Sequence, residues 1–78
     1  MPNPFSQETN IRFELPTSST ATLVIHDGLG REVFRMEDEF AAGMNQVEID
    51  GSQLPAGVYQ YTLQSGSFVA SRSMVVTK

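Results

Sequence analysis

The sequence predicts an all-β domain, a β-sandwich of six or seven short strands, and three observations carry that expectation. Apolar and polar residues alternate with period two in run after run, which is the pattern of half-buried strands rather than of helices. Turn-forming residues separate the runs at regular intervals: Pro16 with Thr17 to Thr20, Gly28 with Gly30, Ala41 to Gly43, Asp50 to Ser52, Pro55 with Gly57, and Ser65 with Gly66. At 78 residues the chain has room for a single core, since a fold this small buries only about 60% of the surface its unfolded chain exposes.

The elements follow in order. The opening "PNPF" excludes regular structure through its two prolines. "NIRFEL" then sends Ile11, Phe13 and Leu15 to one side and Arg12 and Glu14 to the other. In "ATLVIHD" the residues Ala21, Leu23 and Ile25 are in phase, and "REVF" opens a third run. Between these two, "DGLG" is expected to form a bulged hairpin, with Gly28 and Gly30 supplying positive φ, Leu29 tucked under the sheet and Arg31 outward. The acidic patch Glu37 to Glu39 follows, and after "AAG" the fourth run is "MNQVEID", with Asn45, Val47 and Ile49 in phase. After the corner "LPAG", Tyr59, Tyr61 and Leu63 share one face, and Ser65 and Gly66 make a two-residue loop. The last run, "SFVASRSMVVTK", aligns Phe68, Ala70, Met74 and Val76. A tyrosine opening a strand just after Leu54, Pro55 and Gly57 matches the tyrosine corner of immunoglobulin-like sandwiches, with its hydroxyl bonded back to nearby backbone.

Composition narrows the function. Nine acidic against five basic residues give a net charge of −4, and the basic residues are scattered, which argues against nucleic acid as partner. The chain has no cysteine, so neither disulfides nor cysteine-based zinc sites are expected. No apolar run reaches the roughly 18 residues of a membrane span, and the N-terminus has no signal-peptide pattern. Work outside the cytoplasm would therefore make these residues the detached tail of a longer precursor.

Catalytic chemistry finds no foothold. "GLGREV" has Val33 where a dinucleotide fingerprint needs its third glycine, and a strand follows where that fingerprint needs a helix. His26 is the one histidine and falls on the solvent face of its strand, away from any base–nucleophile pair. Glu37 to Glu39 lack the spaced ligands of a calcium loop. "LPAG" lacks the threonine of the LPxTG sortase signal. No enzyme, no cofactor and no metal are expected.

Four pieces taken together are more specific than any one of them. Pro2, Asn3, Pro4 and Phe5 open the chain; Asp27, Gly30, Arg31 and Val33 follow with Leu29 before the second glycine; Leu54, Pro55, Gly57, Tyr59, Tyr61 and Leu63 come next; Arg72, Met74, Val75, Val76 and Lys78 close it. In this order they resemble the C-terminal sorting domain, type A, of type IX (Por) secretion cargo proteins of Bacteroidota, over essentially the whole chain. The departure is a single Arg72 between Ser71 and Ser73 where that family usually has a lysine pair. The resemblance implies a seven-stranded immunoglobulin-like, fibronectin-III-like sandwich occupying residues 1–78 at the end of a larger secreted precursor. It implies partners among the outer-membrane translocon, shuttle and sortase proteins, no membrane insertion of its own, and passage through the periplasm to the cell surface or beyond. Removal by the sortase and attachment of the cargo to lipopolysaccharide are implied as later steps.

A final strand on a sheet edge would offer unpaired backbone groups for strand addition, so "SMVVTK", supported by the turn at Gly30 and Arg31, is the expected recognition element. The same open edge could pair two copies into a dimer. The competing expectation is a passive immunoglobulin-like spacer or carbohydrate-binding module, for which Phe34 and Phe40 are the available exposed rings.

Overall fold

Alternation becomes six strands in the structure, a computed structural model that describes residues 8–50 and 54–77, with side chains from Asn10 on. They are β1 (Glu8–Leu15), β2 (Ser19–His26), β3 (Glu32–Phe40), β4 (Gly43–Asp50), β5 (Gly57–Ser65) and β6 (Phe68–Val76). There is no helix among the described residues. The all-β class expected from periodicity is therefore correct, while the strand count among these residues is six and not seven. The opening "PNPF" lies outside them.

The strands form two antiparallel sheets, β1-β4 and β3-β2-β5-β6. Their apolar faces meet in one cluster: Ile11, Phe13 and Leu15 with Val47 and Ile49 from the small sheet, and Ala21, Leu23, Ile25, Tyr59, Leu63, Met74 and Val76 from the large one, joined by Leu54. Ile11, Leu15, Leu23, Ile25 and Leu63 are fully buried, and each contributes roughly 1.5–3 kcal/mol by leaving water. No described charged or polar residue is buried with them.

Three local differences from expectation have simple causes. First, the run that "REVF" opens extends through Glu37, Asp38 and Glu39 to Phe40, so the acidic patch lies within β3. On a strand that lies at the sheet edge, carboxylates can point to water on either side without leaving the ladder. Second, Phe34 and Phe40 are not exposed rings. Both are half-buried against the core, and the Phe40 ring meets Phe13 edge-to-face with centroids 5.0 Å apart. Third, the β5–β6 loop is Gly66 and Ser67, because Ser65 pairs with Phe68. Gly66 takes φ 59° at the first loop position, where a tight hairpin of this hand favours glycine. Ser65 remains in the sheet and its hydroxyl donates to the Thr20 carbonyl at 3.0 Å.

Candidate recognition surface

The β2–β3 hairpin is built around one carboxylate. Asp27 Oδ1 accepts from the backbone N–H groups of Leu29 and Arg31, both at 2.9 Å, and Oδ2 accepts from Arg31 Nε at 2.8 Å. Backbone bonds from Asp27 N to Arg31 O (2.9 Å) and from Gly30 N to Asp27 O (3.0 Å) close the turn. The N–H of Arg31, its guanidinium and the N–H of Leu29 hold the Asp27 carboxyl below the usual carboxylate range, against a partial opposing effect of desolvation. Gly30 sits at φ 82°, whereas Gly28 has no positive φ, so only the second glycine of "DGLG" is required for its backbone angle. The register shifts between Ile25, opposite Phe34, and His26, opposite Glu32, leaving Val33 as the bulge residue. Leu29, expected to tuck under the sheet, is 80% exposed. Held at the tip by its own N–H bond to Asp27, it has no core within reach. Arg31 does face solvent, folded back along Asp27. His26 is half-buried, on the face opposite Leu23 and Ile25.

The corner before β5 anchors differently. Leu54 and Tyr59 are buried, and the Tyr59 hydroxyl donates to the Pro55 carbonyl. The tyrosine-corner bond expected at Tyr59 is thus present. Tyr61, in phase with Tyr59, is half-buried against the core. Pro55, Ala56 and Gly57 stay at the surface. A Cβ on Gly28 would stand 3.9 Å from the Val58 carbonyl oxygen, which places the hairpin tip beside the first residues of β5. The two sequence motifs therefore come together, and Asp27, Leu29, Arg31, Val33, Pro55 and Val58 line a shallow groove between them.

The C-terminal motif is divided by the pleat. Met74 and Val76 point into the core, and Val75 between them is 61% exposed on the opposite face. Arg72 shares the phase of Met74 but is exposed, lining an opening between the sheets with Phe13, Tyr61, Phe68 and Ala70. Pro2, Asn3, Pro4, Phe5 and Lys78 lie outside the described residues.

Six of the described motif residues thus serve the fold: Leu54, Tyr59, Met74 and Val76 are core, and Gly30 and Asp27 shape a turn. Those exposed at the surface are Arg31, Val33, Pro55, Gly57, Arg72 and Val75. Sequence reasoning did not single out as a recognition residue Val58, which is 61% exposed and directly opposite Val75 in the β5–β6 register. The signal was available, since a valine out of phase with Tyr59, Tyr61 and Leu63 has to face water.

Among the described residues no group of three or more histidine and carboxylate side chains is arranged to hold a metal ion. Each aromatic ring among the described residues from Asn10 on is buried or half-buried. Charge is distributed unevenly. β3 carries Glu32, Arg35, Glu37, Asp38 and Glu39, whereas β6 carries Arg72 alone. Glu32 and Arg35 pair with each other at 2.8 Å, which lowers the Glu32 carboxyl and raises the Arg35 guanidinium relative to their ordinary values.

The family model for the secretion system C-terminal sorting domain matches residues 1–77. No curated protein and no solved structure matches the chain.

Proposed function

Since the chain belongs to the type IX secretion C-terminal sorting domains, we propose that it is a folded address read by strand addition at the free edge of β6. Membership supports a sorting signal that engages the secretion machinery and directs the protein carrying it out of the cell. The rest is our reading. The domain is carried by a precursor that reaches the periplasm, it is taken through the outer-membrane translocon, and a sortase then removes it as the cargo is released or attached to lipopolysaccharide. Two sheets over one core, closed by a tyrosine corner, support an immunoglobulin-like sandwich for its architecture.

One observation carries the strand-addition reading. β3 and β6 are the two edges of the same sheet among the described residues, and they are defended unequally. Five charged side chains in nine residues protect β3 from pairing with another chain, while β6 has one. Edge strands of soluble proteins are normally blunted by charge. An edge left unblunted is a template for a partner strand, whose backbone bonds give affinity and whose alternate side chains give specificity.

The test fuses residues 1–78 to a periplasmic reporter in a host with a type IX system. The fusion is expected at the cell surface or in the medium. Ser71→Lys with Ser73→Lys places charge on the edge without touching the core and is expected to trap the fusion in the periplasm. Export of that double variant at the parental level would refute edge recognition.

A further inference from the structure

We infer that the tip of the β2–β3 hairpin and the start of β5 join β6 in one apolar docking strip, and that its occupant is an extended, uncharged, aliphatic segment of the secretion machinery. This rests on the edge reading above and specifies the chemistry of the strand that adds there.

Leu29, Val33, Val58 and Val75 are exposed by 80%, 39%, 61% and 61%. They lie at one end of the four-stranded sheet. Val58 stands opposite Val75 across the β5–β6 ladder, and Leu29 and Val33 line the groove that Val58 borders on its other side. The alternation of β5 and β6 puts Gln60, Thr62, Gln64, Ser71 and Ser73 on the same outer face, so polar residues follow this aliphatic group along both strands until Val69 at the far end. Solvent-facing strand positions in a small domain are ordinarily polar, and grouped aliphatic ones mark an interaction surface.

Charge and topology select the occupant. The charges of this hairpin cancel in place, Asp27 with Arg31 and Glu32 with Arg35. The strip therefore presents no net field, while the remaining carboxylates of β3, Glu37, Asp38 and Glu39, stand farther along that strand and disfavour an acidic partner. A strand added to β6 sets its outward side chains about 5 Å from those of β6. An aliphatic residue next to Val75 would extend the row that runs from Leu29 and Val33 through Val58. A charged residue there would be desolvated without a counterion. Val69 is also exposed on β6, but it faces Gln64 at the far end of the sheet and belongs to no row.

The same reporter fusion tests this. Leu29→Lys and Val58→Lys, neither of them on β6, are each expected to lower surface reporter at least tenfold. Val58→Thr, which keeps the branched shape, is expected to give a smaller loss, and Val69→Lys is expected to export normally. Protease resistance of the periplasmic fusion, unchanged across the set, shows that folding is intact. If Leu29→Lys and Val58→Lys export normally while the Ser71→Lys, Ser73→Lys double variant is trapped, the strip is refuted and edge recognition stands. If Val69→Lys is trapped as completely as Val58→Lys, the strip is refuted as a localised site. Normal export of every variant overturns both.

Discussion

The hydroxyl of Tyr59 donates to the carbonyl of Pro55 four residues earlier, tying the first residues of β5 to the corner that feeds it. The ring is buried against the core, so one side chain both fills space and closes the turn. Tyr59→Phe removes the bond and keeps the ring, and a hydrogen bond of this kind is worth about 1 kcal/mol. In a domain of this size that lowers the melting midpoint by about 4–8 °C. Tyr59→Ala also leaves a cavity, for about 3–5 kcal/mol. Thermal melts followed by circular dichroism separate the two. Equal losses for Phe and Ala would contradict the division of labour between ring and hydroxyl.

The two glycines of "DGLG" are not equivalent. Gly30 sits at φ 82° with open space around it, so alanine there is strained by its backbone angle, by about 1–2 kcal/mol. Gly28 has no such angle, and an added Cβ would meet only the Val58 carbonyl at the ordinary distance of 3.9 Å. Gly28→Ala is expected to change stability by no more than about 0.5 kcal/mol. Denaturation midpoints of the two variants check this, and a larger loss at Gly28 would overturn it.

Asp27 sets the acid sensitivity of the hairpin. Its folded carboxyl titrates below its unfolded one, chiefly because the Arg31 N–H donates to it. Its stabilisation is therefore complete above the ordinary carboxylate range and is lost as pH falls through the folded value. Glu32, lowered by Arg35, acts in the same direction. Asn in place of Asp27 still accepts the two backbone bonds but has no charge to titrate. Asp27→Asn is expected to melt below the parent at pH 7 and to converge with it as pH falls from the ordinary carboxylate range through the lower folded value. A constant gap over that interval would show that the ion pair with Arg31 contributes nothing.

Much of this was legible in the residues, and the failures were local. Phase alone placed Ile11, Phe13, Leu15, Leu23, Ile25, Leu63, Met74 and Val76 correctly on the inner faces, because a pleated strand leaves one choice of side. Tyr59 was placed to the bond. Periodicity could not foresee that β3 would run through three consecutive carboxylates, since their tolerance depends on the strand being at an edge, which is a property of sheet order. The position of Leu29 was decided by the Asp27 carboxylate gripping the turn from inside, a contact that composition does not announce. The docking strip depends on register, in which Val58 meets Val75 only once β5 and β6 are paired from Gly57 with Val76 to Ser65 with Phe68.

The carboxylates of β3 lead to the last prediction. Glu37 lies opposite Thr22, whose hydroxyl donates to it at 3.3 Å, and Glu39 lies opposite Thr20. Both face water on an edge strand, so neither has a core contact to lose. Their service is to make pairing of β3 with another copy unfavourable, since like charges set directly opposite one another repel. Glu37→Thr with Glu39→Thr suits the strand by propensity and removes two charges from that edge. The double variant is expected to fold with unchanged or higher melting temperature and to self-associate as concentration rises, through β3 rather than β6. Sedimentation velocity at increasing concentration detects the association. Restoring a charge on β3, by Arg in place of Glu37, is expected to reverse it. If the double variant stayed monomeric at every concentration, charge would not be what keeps that edge closed, and the contrast between the two edges would lose its meaning.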